Sequence, residues 1–315
     1  MDITLLKTFL EVTASGSFVA SADRLFVTQS AVSLRIQRLE DSLGKPLFTR
    51  SRAGAELTSA GREFEKYALS MIRVWEEARQ QIAIPEGYTR SLTVGAQYSL
   101  WPRLGFRWVD ALQDRMPDLN VRAELGMPDR LTRFLIEGVM QAGLLYMPQL
   151  RPGLEAEQIL AEELVMVATF ADADMDTIFD DYVFIDWGPE FVVAHAQALP
   201  VLTNPGLTFA LGALAGEYVL NRRAAAYLPA RYVKTHLDAG RMFLVPDAPR
   251  FPYPVWAVWR EDLDPDIREA ARATLLSVAA GAEAAGASVI KSLERLSEDN
   301  HVEILGQAES RHSGE

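Results

Sequence analysis

At 315 residues the chain is too long for one simple domain and suggests two or three units of about 100–200 residues each. With 49% apolar and 23% charged residues, 20 glycines and 16 prolines, it is neither disordered, collagenous nor fibrous. Having no cysteine, it lacks disulfides, thiolate metal sites and cysteine nucleophiles, which suits a reducing cytoplasm. Its apolar runs fall short of the ~18 residues of a membrane span. The first residues, interrupted by Asp2, Lys7 and Glu11, do not read as a signal peptide. A net charge of −12 argues against nucleic acid, but its distribution reverses that reading. Between residues 24 and 52, Arg24, Arg35, Arg38, Lys45, Arg50 and Arg52 outweigh Glu40 and Asp41, so the window carries +4 and the rest −16. A basic patch on an acidic body is the footprint of a small DNA-reading module; the rival reading is a solvated charged face.

In chain order, Leu5, Leu6, Phe9, Leu10 and Val12 form a helical stripe over residues 2–14. Ser15-Gly16 ends it, and Ser17 caps a second helix over about 18–25 that turns Phe18, Ala22 and Leu25 inward. Thr28 caps a third helix from Gln29 to Leu43, closed by Gly44. Ser21, Ala22 and Ala31 are small enough to let the second and third helices cross closely, as a helix-turn-helix demands. On the third helix Val32, Ile36, Leu39 and Leu43 are assigned to the core, while Ser30, Ser33, Leu34, Gln37 and Arg38 face outward, with Gln29 in the first turn. Gln and Ser can bond base edges, and Arg35 and Arg38 can reach phosphates. Leu34 suits a thymine methyl, although single exposed leucines are ordinary. Residues 45–58 read as a hairpin wing that adds Arg50, Arg52 and Thr58 to the DNA-facing set, in which Thr28 is also counted.

A helix of about 25 residues follows Thr58. Phe64, Ala68, Met71, Trp75, Ala78 and Ile82 recur every four or three positions, an a/d seam that predicts a partner helix; the alternative is packing on its own domain. Ile84-Pro85-Glu86-Gly87 ends it. Beyond residue 90, strands are expected at 91–96, 119–125, 141–146, 162–170, 182–187, 241–246 and 253–259, and helices at 100–115, 129–138, 189–198, 209–223 and 265–296. This alternation predicts a mainly parallel α/β architecture, and two such sheets would enclose a cleft fit for a small ligand. Residues 297–315 are polar and read as a loose tail. His195, His236, His301 and His312 show no metal-binding spacing, and no GxSxG, GxGxxG or Walker loop occurs, so neither catalysis, metal nor cofactor is expected.

The stretch Ser17 to Gly61 resembles the LysR-type transcriptional regulators. The matching residues are Thr28-Gln29-Ser30-Ala31-Val32-Ser33, Leu39-Glu40, Leu43-Gly44, Pro46-Leu47-Phe48, Arg50, Leu57-Thr58 and Ala60-Gly61. Within that family, residues 1–12 and Thr28–Ile36 are similar to the branch holding enterobacterial flagellar-operon repressors. The resemblance implies an α/β protein overall: a winged helix-turn-helix at 1–58, a dimerisation linker helix at 59–88, and an effector-binding regulatory domain at 89–296. That domain would be two-lobed and built like a periplasmic binding protein, with lobe I at 91–163 and 246–296 and lobe II at 168–241. Implied partners are double-stranded promoter DNA, a second copy or a homotetramer, a small-molecule effector and RNA polymerase, with no membrane.

The family's effector sites map onto Gln97, Tyr98, Ser99, Leu100 and Trp101 and onto Met127-Pro128. Helix starts at these points suit an anion, and Tyr146 and Trp187 suit the body of an aromatic acid. Arg222 and Ala224 stand where the family usually carries glycines, so lobe II is expected to contribute less. A periplasmic solute-binding protein is opposed by the fused N-terminal module. A ligand-independent repressor with a degenerate pocket is the remaining alternative.

Overall fold

A computed structural model describes residues 2–51, 54–210, 212 and 214–310. Arg52 lies outside the described residues, as does the side chain of Arg50. Helix α1 (Ile3–Ser15) starts where the Asp2 carboxylate accepts the Thr4 N–H at 2.8 Å and ends at Gly16, whose φ of 62° suits glycine. Ser17 caps α2 (Phe18–Arg24), and Thr28 caps α3 (Gln29–Leu43) by accepting the Ala31 N–H at 3.2 Å. Strands β1 (Phe48–Ser51) and β2 (Gly54–Leu57) pair antiparallel as the wing, and Thr58 caps α4 (Ser59–Ile82). The wing abuts the α1–α2 turn so closely that a Cβ on Gly54 would lie 2.5 Å from the Gly16 carbonyl, which accepts the Ala55 N–H at 2.7 Å. Leu6, Phe9, Val12, Val32, Ile36, Leu39 and Leu47 form the core, joined by Ala68 and Ile72 of α4. Leu43 is a correction: at the last turn of α3, beyond the reach of α1, it is 37% exposed.

Lobe I contains β3 (Arg90–Ala96), α5 (Phe106–Arg115), β4 (Leu119–Leu125), α6 (Pro128–Glu137), β5 (Ala142–Leu145) and β6 (Leu154–Leu160). Lobe II contains β7 (Glu163–Ala168), β8 (Phe184–Ile185), α7 (Pro189–Ala198), β9 (Thr208–Phe209), α8 (Leu214–Leu220), β10 (Ala225–Pro229), α9 (Ala230–Asp238), β11 (Phe243–Leu244) and β12 (Phe251–Pro252). The chain then returns to lobe I through β13 (Val255–Arg260) and α10 (Pro265–Ser310).

Instead of a mainly parallel arrangement, the lobe I sheet is mixed and the strands of the lobe II sheet pair antiparallel. In lobe I, ordered β4-β3-β5-β13-β6, β3 runs parallel to β4 and β5, but β13 is antiparallel to both β5 and β6 because the chain re-enters after its detour through lobe II. In lobe II, β10 and β11 are joined through α9 and flank β7, each antiparallel to it. Pairing of β12 with β7 puts the return crossover after Pro252, later than the 241–246 expected.

The single helix expected at 100–115 is broken. A 3₁₀ turn at Tyr98–Leu100 and a π-turn at Trp101–Gly105 precede α5. Pro102 supplies no N–H, and the Trp101 ring lies so close over Gly105 that a Cβ there would be 2.5 Å away. β6, β10 and α9 escaped the sequence reading, and the loose tail is likewise corrected: α10 runs on to Ser310, since no proline interrupts it and a lone Gly306 is tolerated. By length and composition Pro265–Ser297 is able to cross a membrane. Its Ala271, Leu275, Ala279 and Val289 are nevertheless buried in the regulatory core, and the Trp108 indole N–H donates to the Ala271 carbonyl at 2.8 Å.

Phe26, in the α2–α3 turn, is 95% exposed and held at φ 53°, a conformation costly for a bulky L-residue. Phe26→Gly is expected to stabilise the DNA-binding domain by about 0.5–1 kcal/mol, the left-handed strain of about 1–2 kcal/mol less the entropy of glycine. A urea midpoint that does not rise would contradict this.

Candidate DNA interface and effector cleft

Burial of Val32, Ile36 and Leu39 fixes the rotation of α3 and turns Gln29, Ser30, Leu34, Gln37 and Arg38 to solvent, with Ser33 half-buried. Leu34 is 52% exposed on this polar face. Local bonds sort the candidates. The Thr28 and Ser30 hydroxyls lie 2.9 Å apart while Thr28 also caps α3, and Gln37 donates to Asp41 at 2.9 Å. Arg35 is turned back toward α1, 3.4 Å from the Thr8 hydroxyl, so it braces the helix pair. Thr58 is committed as well, donating to the Pro46 carbonyl at 2.8 Å and accepting from the Gly61 N–H at 2.9 Å. These bonds make Thr58 the cap of α4. Glu40, unassigned from sequence, accepts the Leu47 and Phe48 N–H groups at 2.6 and 3.2 Å and so ties the wing to α3.

The α4 seam divides. Phe64, half-buried, meets Phe9 edge-on at 5.1 Å and Ala68 is fully buried, so both pack on the chain's own core. The reason is spatial: the first turns of α4 lie against α1. Met71, Trp75 and Ala78, with Val74, Ile3 and Leu6, line an open apolar groove between α4 and α1. Trp75 is 47% exposed and Ile82 also faces solvent.

Between the lobes, the Gln97 side-chain oxygen accepts the Tyr146 N–H at 3.0 Å, and Ser99 donates to the Tyr146 hydroxyl at 3.1 Å instead of capping a helix. Leu100 and Trp101 are corrections: both are buried in the regulatory core, Trp101 beside Phe106, because the 3₁₀ and π turns rotate them inward. Tyr98 and Met127 are exposed, and Pro128 opens α6.

Tyr146 stacks on Tyr253 at 3.9 Å, and Tyr253 meets Trp187 edge-on at 5.3 Å. The indole N–H of Trp187 donates to the Tyr227 carbonyl at 2.9 Å. The aromatic groups expected to hold a ligand hold one another. Burial pushes the Tyr146 hydroxyl up to about 12, against the neighbouring Arg231 charge. Arg231 donates its backbone N–H and Nε to Glu162 at 3.0 and 2.8 Å, with side chains 5% and 2% exposed respectively. Arg103 of lobe I reaches α9, donating to the Arg231 carbonyl at 3.1 Å and the Thr235 hydroxyl at 2.7 Å. Sequence offered no signal for Glu162, Arg231 or Arg103 as partners, since each bond spans more than sixty residues.

Residues 3–62 match the bacterial regulatory helix-turn-helix protein, LysR family, and residues 85–278 the LysR substrate-binding domain. The chain belongs to the LysR family. This LysR-type regulator is 30% identical over 269 residues to the HTH-type transcriptional regulator HdfR of Escherichia coli, covering 84% of this chain and 94% of that one. Full-length OxyR from Pseudomonas aeruginosa shares its fold at 22% identity, with 88% and 98% coverage and a TM-score of 0.52. So does Vibrio fischeri DarR, solved in complex with DNA, at 22% identity, 88% and 99% coverage and a TM-score of 0.53. As a LysR-type regulator it is a DNA-binding transcriptional regulator with an N-terminal winged helix-turn-helix and a C-terminal effector-binding domain.

Glu162→Gln leaves the Arg231 guanidinium buried without its counter-charge. It is expected to destabilise the regulatory domain by about 3–5 kcal/mol, with partial recovery in the Glu162→Gln/Arg231→Gln pair. Thermal unfolding of the full chain checks both, and an unshifted single variant would rule the pair out as a structural tie.

Proposed function

We propose that this LysR-type regulator reads partly palindromic promoter DNA through Gln29, Ser30, Ser33 and Leu34, with Arg38 on phosphate and the wing, including Arg50, on the backbone. The observation that carries the reading is the exposed outer face of α3, apolar Leu34 included, opposite an inner face where Val32, Ile36 and Leu39 are buried. Two copies join along the outer half of α4, at Met71, Trp75, Ala78 and Ile82, and higher assembly follows from the regulatory domains. The protein acts in the cytoplasm, on DNA, without catalysis. A small molecule enters between the lobes beside Gln97, Tyr98, Ser99, Met127 and Pro128, and reaches Tyr146 and Trp187 by parting the Tyr253 stack. That stack also favours a second reading, a repressor whose closed cleft needs no ligand. Thermal shifts with a panel of carboxylates and aromatic acids separate the two: a true effector at 100 times its dissociation constant adds about 2.7 kcal/mol, less in Ser99→Ala.

Fluorescence anisotropy on promoter duplexes is expected to show log K falling by about 0.9 per phosphate contact per decade of salt. Leu34→Ala is expected to relax preference at one thymine-containing position by about 1 kcal/mol. An unchanged preference profile would remove the methyl contact.

Trp75→Glu sets a charge in the apolar groove and is expected to shift the protein to monomer in sedimentation velocity. Intact dimers would move the seam elsewhere.

A further inference from the structure

The regulatory domain also touches the DNA-binding domain of its own chain, and it does so with charge. Arg133 of α6 donates to the Glu11 carboxylate of α1 at 2.8 Å. The other oxygen of Glu11 accepts from Arg24, in α2 of the helix-turn-helix, at 3.1 Å. Glu11 is 6% exposed, so this carboxylate has exchanged water for two guanidinium partners drawn from different domains. Beside it Glu76 of α4, equally buried, accepts from Lys7 at 2.8 Å and Arg79 at 2.9 Å. Glu137, one turn beyond Arg133, is raised above the usual carboxylate range by burial, against the charges of Arg133 and Lys7.

A second contact closes the same seam. The Gln80 amide donates to the Gly138 and Val139 carbonyls at 3.1 and 3.0 Å and accepts from Gln141 at 2.8 Å. Gln141 in turn accepts the Thr93 N–H of β3 at 2.8 Å. Gly138, at φ 77°, lets α4 come close: a Cβ there would meet Arg73 at 3.3 Å. The end of α4 is therefore bonded to lobe I, and α6 spans the gap between them. It opens at Pro128, one of the residues proposed for the effector site, and five residues later, about 7.5 Å along its axis, presents Arg133 to Glu11.

We propose that Arg133, in the effector-binding domain, is a positioning residue for DNA recognition, setting the orientation of the winged helix-turn-helix and its α4 against lobe I through Glu11 and Arg24. A dimer must present two such modules at the spacing of two half-sites. Release of one anchor leaves each module intact on its α4 but lets its orientation against lobe I vary, so binding to a full site suffers and binding to a half-site does not. The proposal goes beyond the assignment of DNA-facing residues and rests on the reading of the outer α4 face as a dimer seam.

The test uses the full chain and two duplexes: a palindromic fragment selected by the wild type from a randomised library, and the same fragment with one half-site scrambled. Arg133→Ala is expected to lower full-site affinity about tenfold, with half-site affinity unchanged. Arg133→Lys should recover part of the loss. Glu11→Gln should reproduce it, and the double variant should lose no more than either single one, as expected for residues acting through one contact. Full-site binding equal to wild type, equal losses on both duplexes, or additive losses would each overturn the proposal. A wild type that sediments as a monomer would overturn the dimer reading and this proposal with it, whereas a dimer indifferent to Arg133→Ala would overturn this proposal alone.

Discussion

Ala68 and Ile72 are wholly buried against the winged helix, so α4 cannot turn about its axis without exposing them. That packing constraint orders much of the molecule. It points Val74 and Trp75 outward, where α1 and α4 form an apolar groove. It also sets the azimuth at which the helix leaves the DNA-binding domain. Because α4 has 24 residues at about 1.5 Å each, a small rotation at its start would become a large displacement at its end. The Gln80 clasp removes that freedom where the helix meets lobe I.

Buried carboxylates act as joints at two places where parts of the chain meet. Glu11 and Glu76 sit where α1, α4 and α6 converge, and Glu162 sits where the chain crosses from lobe I to lobe II. Each binds two donors, which is what makes a buried carboxylate tolerable. Such pairs contribute less net stability than apolar residues of the same volume, but they fix direction, since misalignment leaves a charge without a partner. Arg103 adds the same kind of tie between lobe I and α9.

The cleft between the lobes follows a different rule. Tyr146, Tyr253 and Trp187 come from lobe I, the returning crossover and lobe II, and their rings satisfy one another. A ligand entering there must replace ring contacts that already exist, and only groups that restore the lost stacking and bonding recover that cost. Gln97 and Ser99, both turned to Tyr146, make the same residue the point at which the two sides of the site are joined.

Local chemistry was enough to reveal much of the protein. Thr28, Gly44 and the Val32-Ile36-Leu39 spacing specify α3 because caps and periodicity act within a few residues, and the helix expected at 189–198 forms as Pro189–Ala198 because Pro189 opens it. The basic window over Arg24–Arg52 and the outer face of α3 were legible for the same reason. Tertiary structure alone decided the remainder. Phe64 and Ala68 belong to the core because α1 lies alongside them, and Leu100 and Trp101 turn inward because Pro102 and Gly105 distort the first turns of their helix. Arg35 and Thr58 are occupied by Thr8 and Pro46, and Glu162 meets Arg231 only once the lobes have formed. A side chain's environment depends on residues far away along the chain, and helical or strand spacing records only the neighbours that lie close.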